Sequence, residues 1–168
     1  MSVFGKLFGK SGESDKTLVL SAPLGGRLLP LSEVPDDIFA GKVLGDGFAI
    51  EPNEGLVVAP FDCQVAQVFR TGHAIGLTGP GGLEVLVHVG IDTVKLAGVG
   101  FKPRVSEGQK LRTGDVMLEF DLEHVRANAK STVTPIVITN RDAVGSLELL
   151  GSGTVKRGDP VLRVLRKS

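Results

Sequence analysis

The sequence has little of what would point to secretion, membrane insertion or nucleic-acid binding. Its single cysteine, Cys63, cannot form an internal disulfide, which is compatible with a reducing compartment. Lysine and arginine total 19, as do aspartate and glutamate, so the formal net charge is zero and we expect no nucleic-acid partner. No apolar run approaches the roughly 18 residues of a membrane-spanning helix, and no signal peptide is recognisable. We therefore expect a cytoplasmic protein.

Glycine is what the sequence has in excess. The 23 glycines are about twice the average share, and they fall with the prolines between short runs of β-branched residues. This pattern predicts an all-β fold: an antiparallel β-sandwich or barrel with Greek-key or jelly-roll-like elements. The predicted strands are Thr17 to Ser21, Gly47 to Ile50, Leu56 to Ala59, Gln64 to Arg70, Ala74 to Leu77, Leu83 to Val89, Val116 to Phe120, Pro135 to Ile138 and Pro160 to Leu165.

Only two segments favour helix, and both are very short. Leu122 to Lys130 follows Asp121, which is a suitable N-cap, and a weaker turn is predicted near Val34 to Ala40.

An internal repeat is visible in two stretches: LRTGDVMLEF at 111–120 and VKRGDPVLRV at 155–164 share a Gly-Asp pair before a strand. We expect each pair to form the turn of a hairpin.

The first residues differ in character from the rest of the chain. In MSVFGKLFGK the apolar residues Val3, Phe4, Leu7 and Phe8 share one side of a would-be helix, although two glycines weaken it. Residues 1–16 are therefore predicted to be a flexible or amphipathic tail, and 1–10 are either disordered or a reversible membrane-surface helix. Residues 17–168 are predicted to be one domain.

A histidine interrupts the apolar run LEVLVHVGID at 83–92. Alternation along a strand predicts a core face of Leu83, Val85, Val87, Val89 and Ile91. The opposite face then carries Glu84, Leu86, His88, Gly90 and Asp92. His88 is thus displayed away from the core, beside a carboxylate, on a surface that can serve chemistry.

A second histidine, His73, follows Thr71 and Gly72 at the end of a predicted strand. If the strand around Phe69 to Ile75 and the strand Leu83 to Val89 pair through the loop TGPGG at 78–82, His73 and His88 lie on the same face. Two adjacent imidazoles suit two chemistries: they can bind a metal with at least one further ligand, or one can be a nucleophile while the other donates hydrogen bonds to the transferred group. The spacing leaves both open. His124, in the predicted helix, is interpreted as a surface residue.

A set of motifs resembles a known family. The run LVHVGIDTV, with TGHA, VGDGFAI, VVAPFD, GFK, EGQ, GDV, EFD and KSTVTPIVITN, is similar to the glucose-type enzyme IIA of the bacterial phosphoenolpyruvate-dependent sugar phosphotransferase system. The resemblance runs from about Ser21 to the C-terminus. It implies that His88 accepts a phosphoryl group from the histidine-containing phosphocarrier protein and passes it to a cysteine of a sugar-specific enzyme IIB. The alternative is a regulatory protein-binding module that uses the same face without onward transfer.

The resemblance also implies roles for the neighbours of His88. The carbonyl of Gly90 accepts a hydrogen bond from Nδ1 of His88, which leaves Nε2 free to attack. His73 holds the phosphoryl oxygens, Thr71 orients His73, and Asp92 influences the protonation of the pair. A ring of apolar residues is implied to exclude water when a partner docks: Ile38, Phe39, Leu44, Phe69, Leu86 and Val94.

The resemblance requires no cofactor for transfer. Zinc could bind to His73 and His88 only if a partner supplied a further ligand. Two residues depart from the family pattern: Asp37 replaces a usual hydrophobe, and Cys63 replaces a usual turn glycine, which predicts a positive φ at that cysteine. A carboxylate at Asp37 would tolerate a basic phosphocarrier but repel acidic regulatory targets.

Overall fold

The computed structural model describes residues 16–167, and in this part of the chain it contains fourteen strands and two short α-helices. The helices are α1 (Asp37–Ala40) and α2 (Leu122–Asn128). The strands are β1 (Thr17–Ser21), β2 (Gly26–Pro30), β3 (Asp46–Pro52), β4 (Leu56–Val58), β5 (Cys63–Val68), β6 (Ala74–Thr78), β7 (Glu84–His88), β8 (Phe101–Pro103), β9 (Lys110–Leu111), β10 (Val116–Phe120), β11 (Thr134–Ile138), β12 (Val144–Leu149), β13 (Thr154–Val155) and β14 (Pro160–Arg166).

The strands form three antiparallel sheets. An eight-stranded sheet has the order β13-β2-β3-β11-β7-β6-β5-β9, and two three-stranded sheets have the orders β1-β14-β12 and β4-β10-β8. The predicted all-β antiparallel class with very short helices is confirmed. The sequence predicted either a sandwich or a barrel. Within the described residues none of the three sheets closes on itself, so no barrel is formed.

Five strands were not predicted: β2, β8, β9, β12 and β13. β8, β9 and β13 have only two or three residues, too few for alternation to be recognised, and β2 (GRLLP) and β12 (VGSLEL) lack an alternating apolar pattern. The Gly-Asp turns are present, and in each the aspartate carboxylate accepts a hydrogen bond from a backbone N–H three residues earlier. The hairpin expectation is wrong, because β9 pairs with β5 and β13 pairs with β2 rather than with the strand that follows the turn.

Apolar side chains cover both faces of the eight-stranded sheet. On β3, Phe48 and Ile50 belong to the large core cluster, to which all three sheets contribute. Ala49, between them, belongs to a smaller cluster on the opposite face. On β7, Leu86 packs against this smaller cluster. His88 is two residues further along β7, so strand alternation places it on the same face.

Cys63 does not have the positive φ expected for a turn residue. It begins β5 and pairs with Leu111, and positive φ among the described non-glycine residues occurs at Lys42, Asp92 and Ala97. The thiol is half-buried, and burial, followed by the charges of neighbouring aspartates, raises its pKa to about 12. A thiol of this kind is not a nucleophile at neutral pH.

None of the helices within residues 16–167 is long and apolar enough to cross a membrane. The predicted N-terminal tail, and with it the membrane-surface helix, lies outside the described residues apart from Lys16.

Candidate functional site

Pairing of two neighbouring strands brings the two histidines together. β6 and β7 are antiparallel, with Ala74 opposite His88, and the N–H of Val89 donates to the carbonyl of His73 at 2.8 Å. The strand pairing expected from the sequence is confirmed. The imidazole rings of His73 and His88 have centroids 4.9 Å apart and are nearly perpendicular, at 82°. A group bound to one ring nitrogen therefore lies within reach of the other imidazole.

His88 is the last residue of β7, and the turn after it orients the ring. Nδ1 of His88 lies 2.8 Å from the carbonyl oxygen of Gly90. A carbonyl oxygen only accepts, so Nδ1 carries the proton and the lone pair is on Nε2. Gly90 has φ 74, and a Cβ there would lie 2.6 Å from Cγ2 of Thr93. The site thus needs glycine at this position for both backbone conformation and space.

The same turn ends the strand alternation. Ile91, which alternation placed on the main core face, belongs instead to the smaller cluster. The positive φ of Gly90 is not extended strand backbone, so the alternation of side chains between the two faces fails beyond it. The new path is held by two hydrogen bonds: the N–H of Ile91 donates to Ser131 at 2.9 Å, and the hydroxyl of Thr93 donates to Val89 at 2.6 Å.

His73 lies in the loop between β5 and β6 and is only 4% exposed. Its Nδ1 is 2.7 Å from the hydroxyl oxygen of Thr71. The rings of Phe69 and Phe101 lie edge-on to it, with centroids 5.7 and 6.4 Å away. Gly72, with φ 75, makes the turn that brings Thr71 back towards the imidazole. His73 is therefore held on several sides by packing as well as by a hydrogen bond.

Burial is the largest influence on the protonation of both imidazoles. Burial, and then the neighbouring charge of His88, lower the pKa of His73 from 6.5 to about 4. Burial also lowers the pKa of His88, although its hydrogen bond to Gly90 and the charge of Asp36 act in the opposite direction. At pH 7 both rings are neutral, so His88 presents a lone pair and His73 keeps one N–H donor.

The carboxylate whose charge acts on His88 is Asp36, a residue that the sequence analysis did not select. Asp36 precedes α1, which is distant in sequence, so no local motif connects it with His88. Asp92, which the family resemblance selected, is exposed, has φ 61 and lies 3.8 Å from the ammonium of Lys95. Its influence on the histidine pair stays a prediction.

The six residues expected to form an apolar docking ring differ in exposure. Ile38, Leu44 and Val94 are exposed, and Phe69 and Leu86 are half-buried. Phe39 is only 6% exposed, and its ring centroid lies 5.1 Å from that of His88, so it supports the histidine rather than facing solvent. Their role in docking stays a prediction.

Two further exposed hydrophobic residues lie in the loops that carry these side chains. Val43 is 68% exposed and Val99 is 59% exposed. The sequence analysis missed both because each stands in a short loop with no periodicity.

No complete metal site is present in the described part of the chain, where no three His, Cys, Asp or Glu side chains are close enough to bind one ion. The two imidazoles supply nitrogen ligands that suit zinc, and a tetrahedral site needs four ligands. Zinc shared with a partner therefore stays a prediction, and none of the chemistry below depends on it.

Comparison with solved structures identifies the fold. Glucose permease IIA from Mycoplasma capricolum matches with a TM-score of 0.84 and 38% identity, covering 88% of this chain and 96% of that one. The fold is thus that of a IIA component of a sugar permease.

Comparison of sequences extends this result. The family model for the phosphoenolpyruvate-dependent sugar phosphotransferase system, EIIA 1, matches residues 18–144. The glucose-specific EIIA component of Bacillus cereus is 47% identical over 98% of this chain and 100% of its own length. That of Staphylococcus epidermidis is 45% identical over 94% of this chain and 95% of its own. The chain belongs to the EIIA 1 family and is a component of a sugar phosphotransferase system.

Proposed function

We propose that this chain accepts a phosphoryl group on Nε2 of His88 from the histidine-containing phosphocarrier protein and passes it to a cysteine of an enzyme IIB. One observation carries the proposal: Nδ1 of His88 is bound to the carbonyl of Gly90, while a second imidazole lies 4.9 Å away between ring centroids. The hydrogen bond to Gly90 leaves the lone pair of His88 on Nε2, the attacking atom, and His73 has the role of stabilising the arriving phosphoryl group.

The transfer exchanges one phosphorus–nitrogen bond for another. Nε2 of His88 attacks the phosphorus, a new N–P bond forms, and the bond to the donor's nitrogen breaks with its electron pair returning to the donor. Nδ1 of His88 keeps its proton bound to the carbonyl of Gly90. In the second half-reaction the thiolate of enzyme IIB attacks the same phosphorus, and the electron pair returns to Nε2. The linkages exchanged are of similar energy, so the site needs to stabilise the transition state rather than the bound phosphoryl group.

His73 has the role of a hydrogen-bond donor to the phosphoryl oxygens. If the hydroxyl of Thr71 donates to Nδ1 across the 2.7 Å contact, the proton of the neutral ring is on Nε2, where it can donate to a phosphoryl oxygen. The arriving negative charge favours the protonated form of His73 and strengthens this interaction. Because Phe69 and Phe101 flank the ring, the donor is in place before the phosphoryl group arrives.

The apolar residues around the pair have the role of excluding water from the docked complex. Exposed side chains such as Ile38, Leu44 and Val94 lose their contact with solvent when a partner covers them. Exclusion of water strengthens the polar contacts to the phosphoryl group and limits hydrolysis of the N–P bond. Both partners, the phosphoryl donor and the enzyme IIB that accepts from phosphorylated His88, would use this surface in turn.

The sugar proposed is glucose, because the similar proteins of Bacillus cereus and Staphylococcus epidermidis are glucose-specific EIIA components. The proposed location is the cytoplasm. Residues 1–10 are proposed to contact the membrane surface reversibly, which would concentrate the chain near a membrane-embedded enzyme IIB.

Phosphorylation followed by intact-mass measurement tests the proposal. We expect incubation with phosphoenolpyruvate and the general components of the system to add one acid-labile phosphoryl group. His88→Gln should take up none, whereas His124→Gln, a matched histidine replacement in α2, should take up one. Absence of phosphate on the wild type would favour a binding-only module, and phosphate mapped to another residue would contradict the assignment of His88.

His73→Gln separates the two histidines by role. We expect it to be phosphorylated on His88 but to deliver phosphate to enzyme IIB on the order of a hundredfold more slowly, the usual effect of a lost transition-state donor. Uptake is less sensitive because the donor protein brings its own stabilising groups. Onward transfer at the wild-type rate would refute the role of His73.

A further inference from the structure

Helix α1 is a single turn that cannot be stable by itself. It has four residues, far fewer than an isolated helix needs, and Gly41 is its C-cap. The carboxylate of Asp36 supplies the N-cap: Oδ1 accepts from the N–H of Ile38 at 2.9 Å and of Phe39 at 3.4 Å. The backbone carbonyl of Asp36 also accepts from Ala40 at 2.8 Å. One residue therefore provides both the side-chain and the backbone contacts that begin the turn.

The turn presents Phe39 to the nucleophile. The ring of Phe39 is tilted by 56° to that of His88, with centroids 5.1 Å apart. Phe39 also belongs to the smaller apolar cluster, together with residues such as Leu29 and Ile91. The imidazole of His88 thus contacts one aromatic ring from α1 and the perpendicular ring of His73 from the β5–β6 loop.

We propose that Asp36 is a positioning residue for phosphoryl transfer: its N-cap bonds hold α1 so that Phe39 keeps the imidazole of His88 in its attacking orientation. The inference rests on the proposed function of His88. The hydrogen bond to Gly90 holds the ring at Nδ1 alone, and rotation about that single contact moves Nε2. Contact with Phe39 restricts this rotation. Displacement of a reacting atom by about 1 Å can slow a reaction by a factor on the order of a hundred.

The competing explanation is that burial alone holds Phe39. The ring is 6% exposed and belongs to a cluster of eight buried residues, which would keep its place whatever capped the helix. The two explanations differ in what happens when the cap is lost while the cluster stays intact. Substitutions of Asp36 make this distinction because its carboxylate is not part of the cluster.

Four variants test the contribution of the N-cap hydrogen bonds. Asp36→Ala removes the cap, and Asp36→Asn keeps it without the charge, since asparagine is as good an N-cap as aspartate. Asp159→Ala is the matched control, because that carboxylate also accepts a backbone N–H, from Lys156 at 2.9 Å. Asp159 follows β13 and is remote from His88, because β2, β3 and β11 lie between β13 and β7 in the sheet. Phe39→Leu removes the ring itself.

Two measurements are made on each full-length variant: the rate of phosphorylation by the phosphocarrier protein, and the NMR shifts of the His88 ring protons, which sense the ring current of Phe39. We expect Asp36→Ala to change the shifts and to slow phosphorylation about tenfold, an intermediate displacement effect. Phe39→Leu should do the same. Asp36→Asn and Asp159→Ala should match the wild type in the shifts and within about twofold in rate.

Two outcomes overturn the inference. Wild-type shifts and rate in Asp36→Ala would show that burial alone positions Phe39. An effect of Asp36→Asn as large as that of Asp36→Ala would show that the charge, not the cap, is what matters. The NMR measurement needs no transfer, so it tests positioning even if the proposed function fails. Failure of the proposed function would appear as a wild-type protein that is not phosphorylated on His88.

Discussion

Acidification should destabilise the folded protein through His73. Burial, and then the charge of His88, lower the pKa of His73 to about 4 in the folded state, whereas the ordinary value is 6.5. Between these values the unfolded chain binds a proton at this residue and the folded chain does not. Stability therefore rises with pH across this window, and it is lost as the pH falls from 6.5 towards 4.

The magnitude follows from the two pKa values. Each unit of difference corresponds to about 1.4 kcal/mol between the protonation states. Relative to neutral pH, protonation linked to His73 lowers the free energy of unfolding by about 2 kcal/mol at about pH 5 and by about 3 kcal/mol at about pH 4. A loss of this size is a large share of the free energy of unfolding of an ordinary domain, which is roughly 5–15 kcal/mol.

Urea denaturation of the wild type and His73→Gln over about pH 7.5 to 4 measures this contribution. Carboxylates such as Asp62 and Glu119, whose pKa values are lowered by hydrogen bonds to Thr113 and Arg104, also titrate on acidification. They are present in both proteins and cancel in the difference. The stability of the wild type minus that of the variant should fall by about 3 kcal/mol on going to about pH 4. A difference that stays constant within about 0.5 kcal/mol would refute the argument that burial keeps His73 neutral.

Three further predictions concern the turns beside the histidines and the tail. Thr71→Val removes the hydroxyl bound to Nδ1 of His73 and should slow phosphoryl transfer to enzyme IIB about tenfold, the effect of about one lost hydrogen bond. Thr71→Ser keeps the hydroxyl and should transfer at the wild-type rate. Equal rates in all three proteins would contradict an orienting role of Thr71. Gly90→Ala should lower the free energy of unfolding by more than the roughly 1–2 kcal/mol of left-handed strain, because its Cβ would lie 2.6 Å from Thr93. Gly82→Ala is the control, since Gly82 has φ 80 and no atom lies within 4 Å of the added Cβ. An equal loss of stability in the two variants, measured by urea titration, would exclude the clash. Deletion of residues 1–10 should leave phosphorylation by the phosphocarrier protein unchanged and slow transfer to membrane-embedded enzyme IIB, and equal rates with both partners would contradict a membrane anchor.

Local regularity made much of the fold predictable. The strand around Val85 and Val87 follows from alternation, a property of the backbone that needs no knowledge of distant contacts. Asp121 caps α2 as expected, by accepting from the N–H of His124. Alternation misplaced Ile91 because β7 ends at His88 and the positive φ of Gly90 departs from extended backbone before Ile91 is reached.

The sequence by itself determined the chemical groups of the candidate site. His88 is displayed on a strand face, His73 follows a glycine turn, and the surrounding motifs identify the family. Only the tertiary structure decided how these groups meet. Asp36 and Phe39 come to His88 from a part of the chain about fifty residues away, because β3, the strand after α1, is separated from β7 in the sheet by β11 alone. The depth at which His73 is buried, and hence its lowered pKa, likewise depends on Phe69 and Phe101 packing around it, which local sequence patterns do not specify.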